Sequence, residues 1–236
     1  MKLTVFGASG GIGTEVVRQG LAAGHHITAV VRQTSKLDVV PQPSLELVVA
    51  DIMDPTTLAP AIAGREVVIS ALGPRGSGPT TVLTTGTQSI IQAMHSTAAA
   101  TNAAQQTSAA HAAGPDPDES LERGVRRLIV VSVAGIHSAG DDPFTRFVVK
   151  PVLGRILRHS WADAREMEAR VRKADLDATI VCPPKLSNAP AKGKLRSNKE
   201  RTVLGGFSIT RADVATYLLA AAADDAVIGS TVFVAN

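Results

Sequence analysis

Short apolar runs recur along the chain, and the stretches between them carry apolar residues at helical spacing. The runs predict strands over Leu3–Phe6, His26–Val31, Leu45–Ala50, Glu66–Ser70, Arg127–Ser132, Ala178–Cys182 and Thr231–Val234. Helices are predicted over Thr14–Ala23, in a short piece around Pro55–Ala63, over Thr80–His95 and over Phe144–Lys173. Pro151 divides the last of these, because an interior proline lacks the N–H a helix needs and clashes with the preceding turn. Strands that are apolar throughout and alternate with helices imply a parallel sheet covered on both faces. The expected fold class is a doubly wound α/β domain of the Rossmann type, a single domain over residues 1–236 with a small C-terminal loop region on the substrate side.

One segment departs from this rhythm. Ser96–Ser120 is rich in Ala, Thr and Gln, has no large apolar residue and ends in a Pro/Asp stretch. It reads as a low-complexity insertion whose Ala and Gln can prolong the preceding helix. The chain has 236 residues, enough for a large α/β core, and its net charge of +3 is small. Aromatic residues make up only 3%, which argues against a base-stacking nucleic-acid surface. The basic excess is partly local, at Lys185, Lys192, Lys194, Arg196, Lys199 and Arg201. That cluster is a solvated loop, which is favoured over a nucleic-acid patch, or the neighbour of a phosphate-bearing ligand. The single cysteine, Cys182, lies in an apolar run and reads as a buried structural thiol. No run is long enough for a membrane helix, and no signal-peptide pattern opens the chain, so a cytoplasmic protein is expected.

The stretch Gly7-Ala8-Ser9-Gly10-Gly11-Ile12-Gly13 joins the first strand to the first helix. Strand, glycine turn and helix in that order form the context in which such a motif holds a dinucleotide. Gly7 lets the chain turn off the strand, Gly10 and Gly11 let backbone N–H groups approach a pyrophosphate, and Gly13 lets the helix pack close to the sheet. The helix N-terminus faces the negative charge, and Ser9 adds a hydroxyl. A phosphate-binding P-loop is excluded, because Thr14-Glu15 stands where Lys-Ser/Thr is needed. At the end of the second strand an NAD site usually carries an acid. Here the sequence is Val31-Arg32-Gln33-Thr34-Ser35-Lys36. Arg32 is either an exposed strand-end residue or a partner for a 2′-phosphate, assisted by Ser35 or Lys36. The position favours NADP(H) over NAD(H).

Together with this turn, Val30–Arg32, Val48–Asp54, Val68–Gly73, Val125–Gly135, Leu176–Leu186 and Ile209–Ala215 resemble the atypical short-chain dehydrogenase/reductases. More narrowly they resemble the NAD(P)H-binding, NmrA-like group that includes biliverdin-IXβ/flavin reductases. The resemblance covers nearly the whole chain apart from the insertion. It implies that Asp51 and Ile52 border the adenine, with a helix cap ahead of Pro55 as the other role for Asp51. It implies that Ala71, Leu72 and Gly73 pass under the ribose and pyrophosphate, that Ile12 belongs to the same cradle, and that Ser132 faces the nicotinamide. Cys182, Pro183 and Pro184 would lie beside the carboxamide. Ile209–Asp213 would start the C-terminal helix, with Thr210 or Asp213 as its cap.

The resemblance also implies a Tyr-xxx-Lys pair, but Ser160 and Ala164 stand at those positions, and the one tyrosine, Tyr217, belongs to the C-terminal helix. The flavin and biliverdin reductases of the group rely on hydride transfer to an electron-poor ring, where positioning carries much of the rate. Polar groups able to help are Ser132, His137 and Lys185, the last two having a plain solvated loop residue as the other reading, and Trp161 either stacks on a flat substrate or packs against the sheet. Metal chemistry is not expected: His25 and His26 point to opposite strand faces, and the other histidines show no ligand spacing. No Gly-x-Ser-x-Gly elbow is present. The expected function is an oxidoreductase that passes hydride from NADPH to a flavin, quinone or tetrapyrrole-like acceptor. The alternative is a non-catalytic NADP(H) sensor that signals through a protein partner.

Overall fold

The computed structural model describes residues 1–33, 37–74, 76, 78–109, 124–139 and 154–236. Its strands are β1 (Lys2–Phe6), β2 (His26–Val31), β3 (Leu45–Val49), β4 (Val67–Ser70), β5 (Arg127–Val131), β6 (Asp177–Cys182), β7 (Lys185–Ser187), β8 (Arg196–Lys199), β9 (Ser208–Thr210) and β10 (Thr231–Ala235). The helices are α1 (Gly11–Ala22), α2 (Ala59–Ile62), α3 (Val82–Ala109), α4 (Arg158–Arg172) and α5 (Arg211–Ala222). Eight strands form one sheet in the order β3-β2-β1-β4-β5-β6-β10-β8. The first seven in that order are parallel, and β8 closes the edge antiparallel to β10. The expected doubly wound α/β fold is therefore present.

Alternation along each strand builds two apolar layers. In β5, Ile129 and Val131 face a cluster that includes Val16, Val17 and Leu21 of α1 and Val214 and Leu218 of α5. Leu128 and Val130 face the opposite cluster, with Ile90 and Met94 of α3 and Met167 and Val171 of α4. Each such side chain, buried from water, contributes about 1.5–3 kcal/mol. Order reverses at β1, whose neighbours β2 and β4 carry the chain to opposite sides of the sheet. The crevice above such a reversal, at the carboxyl ends of the strands, is where open α/β sheets bind ligands.

Several elements differ from expectation. α1 begins at Gly11, so the glycines form its first turn. α3 runs on to Ala109, well past His95, because the Ala/Thr/Gln-rich stretch extends the helix. Residues 110–120 of that stretch, and the expected helical residues 144–153, lie outside the described residues. β3 is not buried on both faces: it is an edge strand, with Leu47 39% and Val49 61% exposed. The basic segment expected as a loop contains β8, and β7 pairs with β9 in a separate two-stranded ribbon.

Candidate functional site

The first turn of α1 is shaped by two glycines. Gly7 has φ +74°, and a Cβ there would stand 2.6 Å from the Ala71 carbonyl oxygen on the neighbouring loop. A Cβ on Gly13 would stand 2.2 Å from the Gly7 carbonyl oxygen, so only glycine allows the helix this close to the strand. The turn closes through Gly10 N–H donating to Gly7 O at 2.9 Å, and Thr14 Oγ1 donating to Ala8 O at 2.9 Å. Gly10 caps α1 without a side-chain acceptor, and no acidic residue lies in the first turn. The helix thus presents its N-terminal N–H groups and positive dipole end to whatever lies above it.

What lies above is a cleft of about 640 Å³ at the strand reversal. Gly7, Ser9, Gly10, Gly11 and Ile12 form its floor. Arg32, at the end of β2, faces one end together with Asp51 and Ile52. Ala71, Leu72 and Gly73 form a wall, Ser132 and Val133 follow β5, and Leu186 of β7 also lines the cleft. One cleft thereby collects most of the residues expected at a dinucleotide. Gly13 lies beneath the turn, where its packing is the role foreseen for it. Ser35 is outside the described residues.

Other candidates stand elsewhere. Asp54, not Asp51, caps the turn at Pro55, accepting from Thr56 N–H at 2.9 Å. Asp51 accepts from Met53 N–H at 3.0 Å through one oxygen. Gly73 has nothing within 4 Å of a built Cβ, so no protein atom there requires a small residue. Lys185 is exposed and does not line the cleft, because strand alternation in β7 turns Leu186 inward and Lys185 outward. Trp161 packs on Gly135, where a Cβ would meet its Cζ2 at 2.6 Å, and does not line the cleft. Pro183 is buried, and its carbonyl accepts from Ala134 N–H at 2.9 Å. Thr210 caps α5, and Asp213 ties the cap to the backbone of Lys192 and Gly193.

Behind Ser132 lies a polar cluster centred on the buried Glu168. The Ser132 hydroxyl donates to Glu168 Oε1 at 2.5 Å, and His137 Nε2 lies 3.0 Å from the same oxygen. Arg172 donates to Glu168 Oε2 at 2.8 Å. Cys182 Sγ stands 3.7 Å from both Glu168 Oε1 and His137 Nε2, so Cys182 belongs to this cluster and not to the cleft wall. Burial raises the Glu168 carboxyl, but the bonds from His137, Ser132 and Arg172 outweigh it and hold the group below its ordinary range. Burial pushes the Cys182 thiol up, with the Glu168 charge adding to it, so the thiol stays protonated. The side chains of His137, Glu168 and Cys182 come close enough to share a metal ion, a grouping that sequence spacing conceals because three elements supply it.

Two residues were missed by sequence reasoning. Arg211 lines the cleft and lies across the first turn of α1, its Cδ 2.5 Å from a Cβ built on Gly11. The capping pattern Thr210–Asp213 hid it. Glu168 looked like one charge among many on an amphipathic helix. Its signal would have been an acid nearly three turns into α4, buried alongside Met167 and Val171.

A family model described as NAD(P)H-binding matches residues 7–225. The chain belongs to this NAD(P)H-binding family. Among curated proteins, the photosystem II assembly factor Ycf39 of Cyanophora paradoxa is 30% identical over 79 residues, 34% of this chain and 25% of that protein. The match thus spans about a quarter of that relative's length. Among solved structures, a short-chain dehydrogenase/reductase from Veillonella parvula in complex with NADP has a TM-score of 0.74 at 18% identity, covering 100% of this chain and 94% of that one. ChuY, an anaerobilin reductase from Escherichia coli O157:H7, has a TM-score of 0.69 at 21% identity, covering 100% and 97%. The solved structures share this chain's fold, and the family model makes it NAD(P)H-binding. No helix among the described residues is long and apolar enough to cross a membrane.

Proposed function

We propose that the chain is an NADPH-dependent reductase that passes hydride to a flat, electron-poor acceptor such as a flavin, quinone or tetrapyrrole-like ring. The observation that carries this is the cleft itself. An uncapped helix N-terminus, two arginines and an apolar wall converge at the strand reversal. The pyrophosphate would rest on Gly10, Gly11 and Ile12, with Arg211 on its open side. Arg32 would pair with the 2′-phosphate, since Val31-Arg32-Gln33 supplies no acid for a ribose hydroxyl. Asp51 and Ile52 would border the adenine, and the nicotinamide would lie towards Ser132. Bound there, the cofactor supplies the hydride; the chain holds, orients and desolvates the two rings.

The structural likeness to a reductase of a tetrapyrrole-type compound supports this acceptor class by analogy of fold. One observation favours a second reading, a non-catalytic NADP(H) sensor. Ser160 and Ala164 occupy the places of the expected Tyr and Lys, and Ala164 is fully buried. The test is NADPH consumption at saturating cofactor with FMN, a small quinone and a biliverdin-like acceptor, beside NADH controls. Turnover with NADPH preferred supports the reductase. Tight NADPH binding without turnover on any acceptor supports the sensor.

A further inference from the structure

A serine hydroxyl has one proton to donate and two lone pairs to offer. At Ser132 the proton is committed to Glu168 Oε1, 2.5 Å away. The Glu168 side chain is 2% exposed, and four groups converge on it: Ser132 and His137 from the segment after β5, Cys182 at the end of β6, and Arg172 one turn along α4 from Glu168 itself. Arg172 also reaches Thr231 Oγ1 at 3.1 Å, which fixes the guanidinium in place. Every one of these contacts suits a carboxylate, and an ionised carboxylate accepts only. Glu168 therefore cannot return a proton to Ser132, and Ser132 has only lone pairs left for the cleft that it lines.

We propose that Glu168 makes Ser132 an acceptor-only contact, so that the ligand group docked against Ser132 is an N–H or O–H donor and not a carbonyl oxygen. The inference rests on the cleft being the cofactor and acceptor site. It narrows the acceptor class. A ring whose edge carries N–H, such as a flavin imide or a linear tetrapyrrole pyrrole, satisfies Ser132. A simple quinone, with only carbonyl oxygens on its edge, sets lone pair against lone pair. A buried acceptor left without its donor lowers affinity by about tenfold or more. Glu168 is in this account a positioning residue, acting on the ligand through Ser132.

The test uses matched probes that differ by one donor, titrated at equilibrium against the full chain. The first pair is lumiflavin and N3-methyl-lumiflavin, followed by flavin fluorescence with and without saturating NADP⁺. The second pair is NADP⁺ and its 3-acetylpyridine analogue, which keeps the carbonyl and loses the amide N–H. The wild type is expected to favour the donor probe by about tenfold or more in at least one pair. In Glu168→Gln the amide N–H can donate to Ser132 and free its proton for the cleft, so the preference should shrink to about threefold or less. Ser132→Ala should flatten it as well. A wild-type ratio near one in both pairs overturns the inference, as does failure of both flavins to bind together with no preference for NADP⁺ over its analogue. So does a preference that survives Glu168→Gln. Failure of NADPH to bind at all would instead sink the proposed function, while the flavin pair without NADP⁺ would still report on Ser132.

Discussion

Arg211 lies across Gly11, its Nε 2.6 Å from the position a Cβ would take and its guanidinium bonded to Asn188 Oδ1. A cation held beside an uncapped helix N-terminus is repelled by the dipole unless an anion comes between them. Arg211→Ala should therefore weaken NADPH binding by about tenfold, on the order of 1.4 kcal/mol. The ligand-free melting temperature should stay level or rise slightly. A fluorescence titration beside a thermal melt separates the two effects; unchanged affinity would remove Arg211 from the phosphate site.

Arg32 should decide which cofactor is preferred. Replacing it with Asp removes the cation and supplies a ribose-hydroxyl acceptor. NADPH affinity should fall by about tenfold or more, with NADH unchanged or tighter. Parallel titrations of both cofactors measure this, and an equal loss for the two would show that Arg32 does not read the 2′-phosphate.

Gly13→Ala places a methyl 2.2 Å from the Gly7 carbonyl oxygen, a backbone atom that cannot swing aside. The turn must then open, at a cost of about 1–3 kcal/mol from overpacking alone. Urea unfolding should record that loss, with NADPH binding weakened at the same time. A variant as stable as the parent would contradict the packing described.

Asp163 on α4 caps the start of α3 from outside: Oδ1 and Oδ2 accept from Thr84 and Leu83 N–H at 2.9 and 3.0 Å. Asp163 is only 5% exposed. Asp163→Ala strands two buried donors and should lower unfolding stability by about 2–4 kcal/mol. Leu83 lines the cleft, so ligand affinity should fall with it. A loss below about 0.5 kcal/mol would mean that water replaces the carboxylate freely.

The Glu168 carboxyl is held below its ordinary value in the folded chain, with burial opposing and the bonds from His137, Ser132 and Arg172 prevailing. Its folded form binds a proton less readily than its unfolded form. The stability it contributes is full above the ordinary carboxylate range and disappears as pH falls through the lower folded value. Glu168→Gln should thus flatten the acid limb of a stability-versus-pH curve. An unchanged acid limb would show that Glu168 is not ionised in the fold.

How far these features could be read beforehand depended on how local their causes are. The glycine turn was legible because its demands, a positive φ at Gly7 and a close approach at Gly13, act within a few residues. The central strands were legible because burial on both faces leaves them apolar throughout. β8 was not, since Arg196–Lys199 is exposed along its length and is held by pairing to β10. The Ser132–Glu168 bond spans 36 residues, and the cluster adds His137 from the loop after β5 and Cys182 from β6, so no spacing rule points to it. Lys185 misled because a strand one residue out of phase reverses which side chain enters the cleft.

A cleft that binds NADPH for hydride delivery should show it under rapid mixing. Protein loaded with NADPH is mixed with an N–H-bearing flavin acceptor, and cofactor oxidation is followed in a single turnover beside an NADH control. Oxidation is expected to run on the protein, faster than in its absence and with NADPH the better donor. Oxidation no faster than in buffer, with NADPH bound, would contradict it.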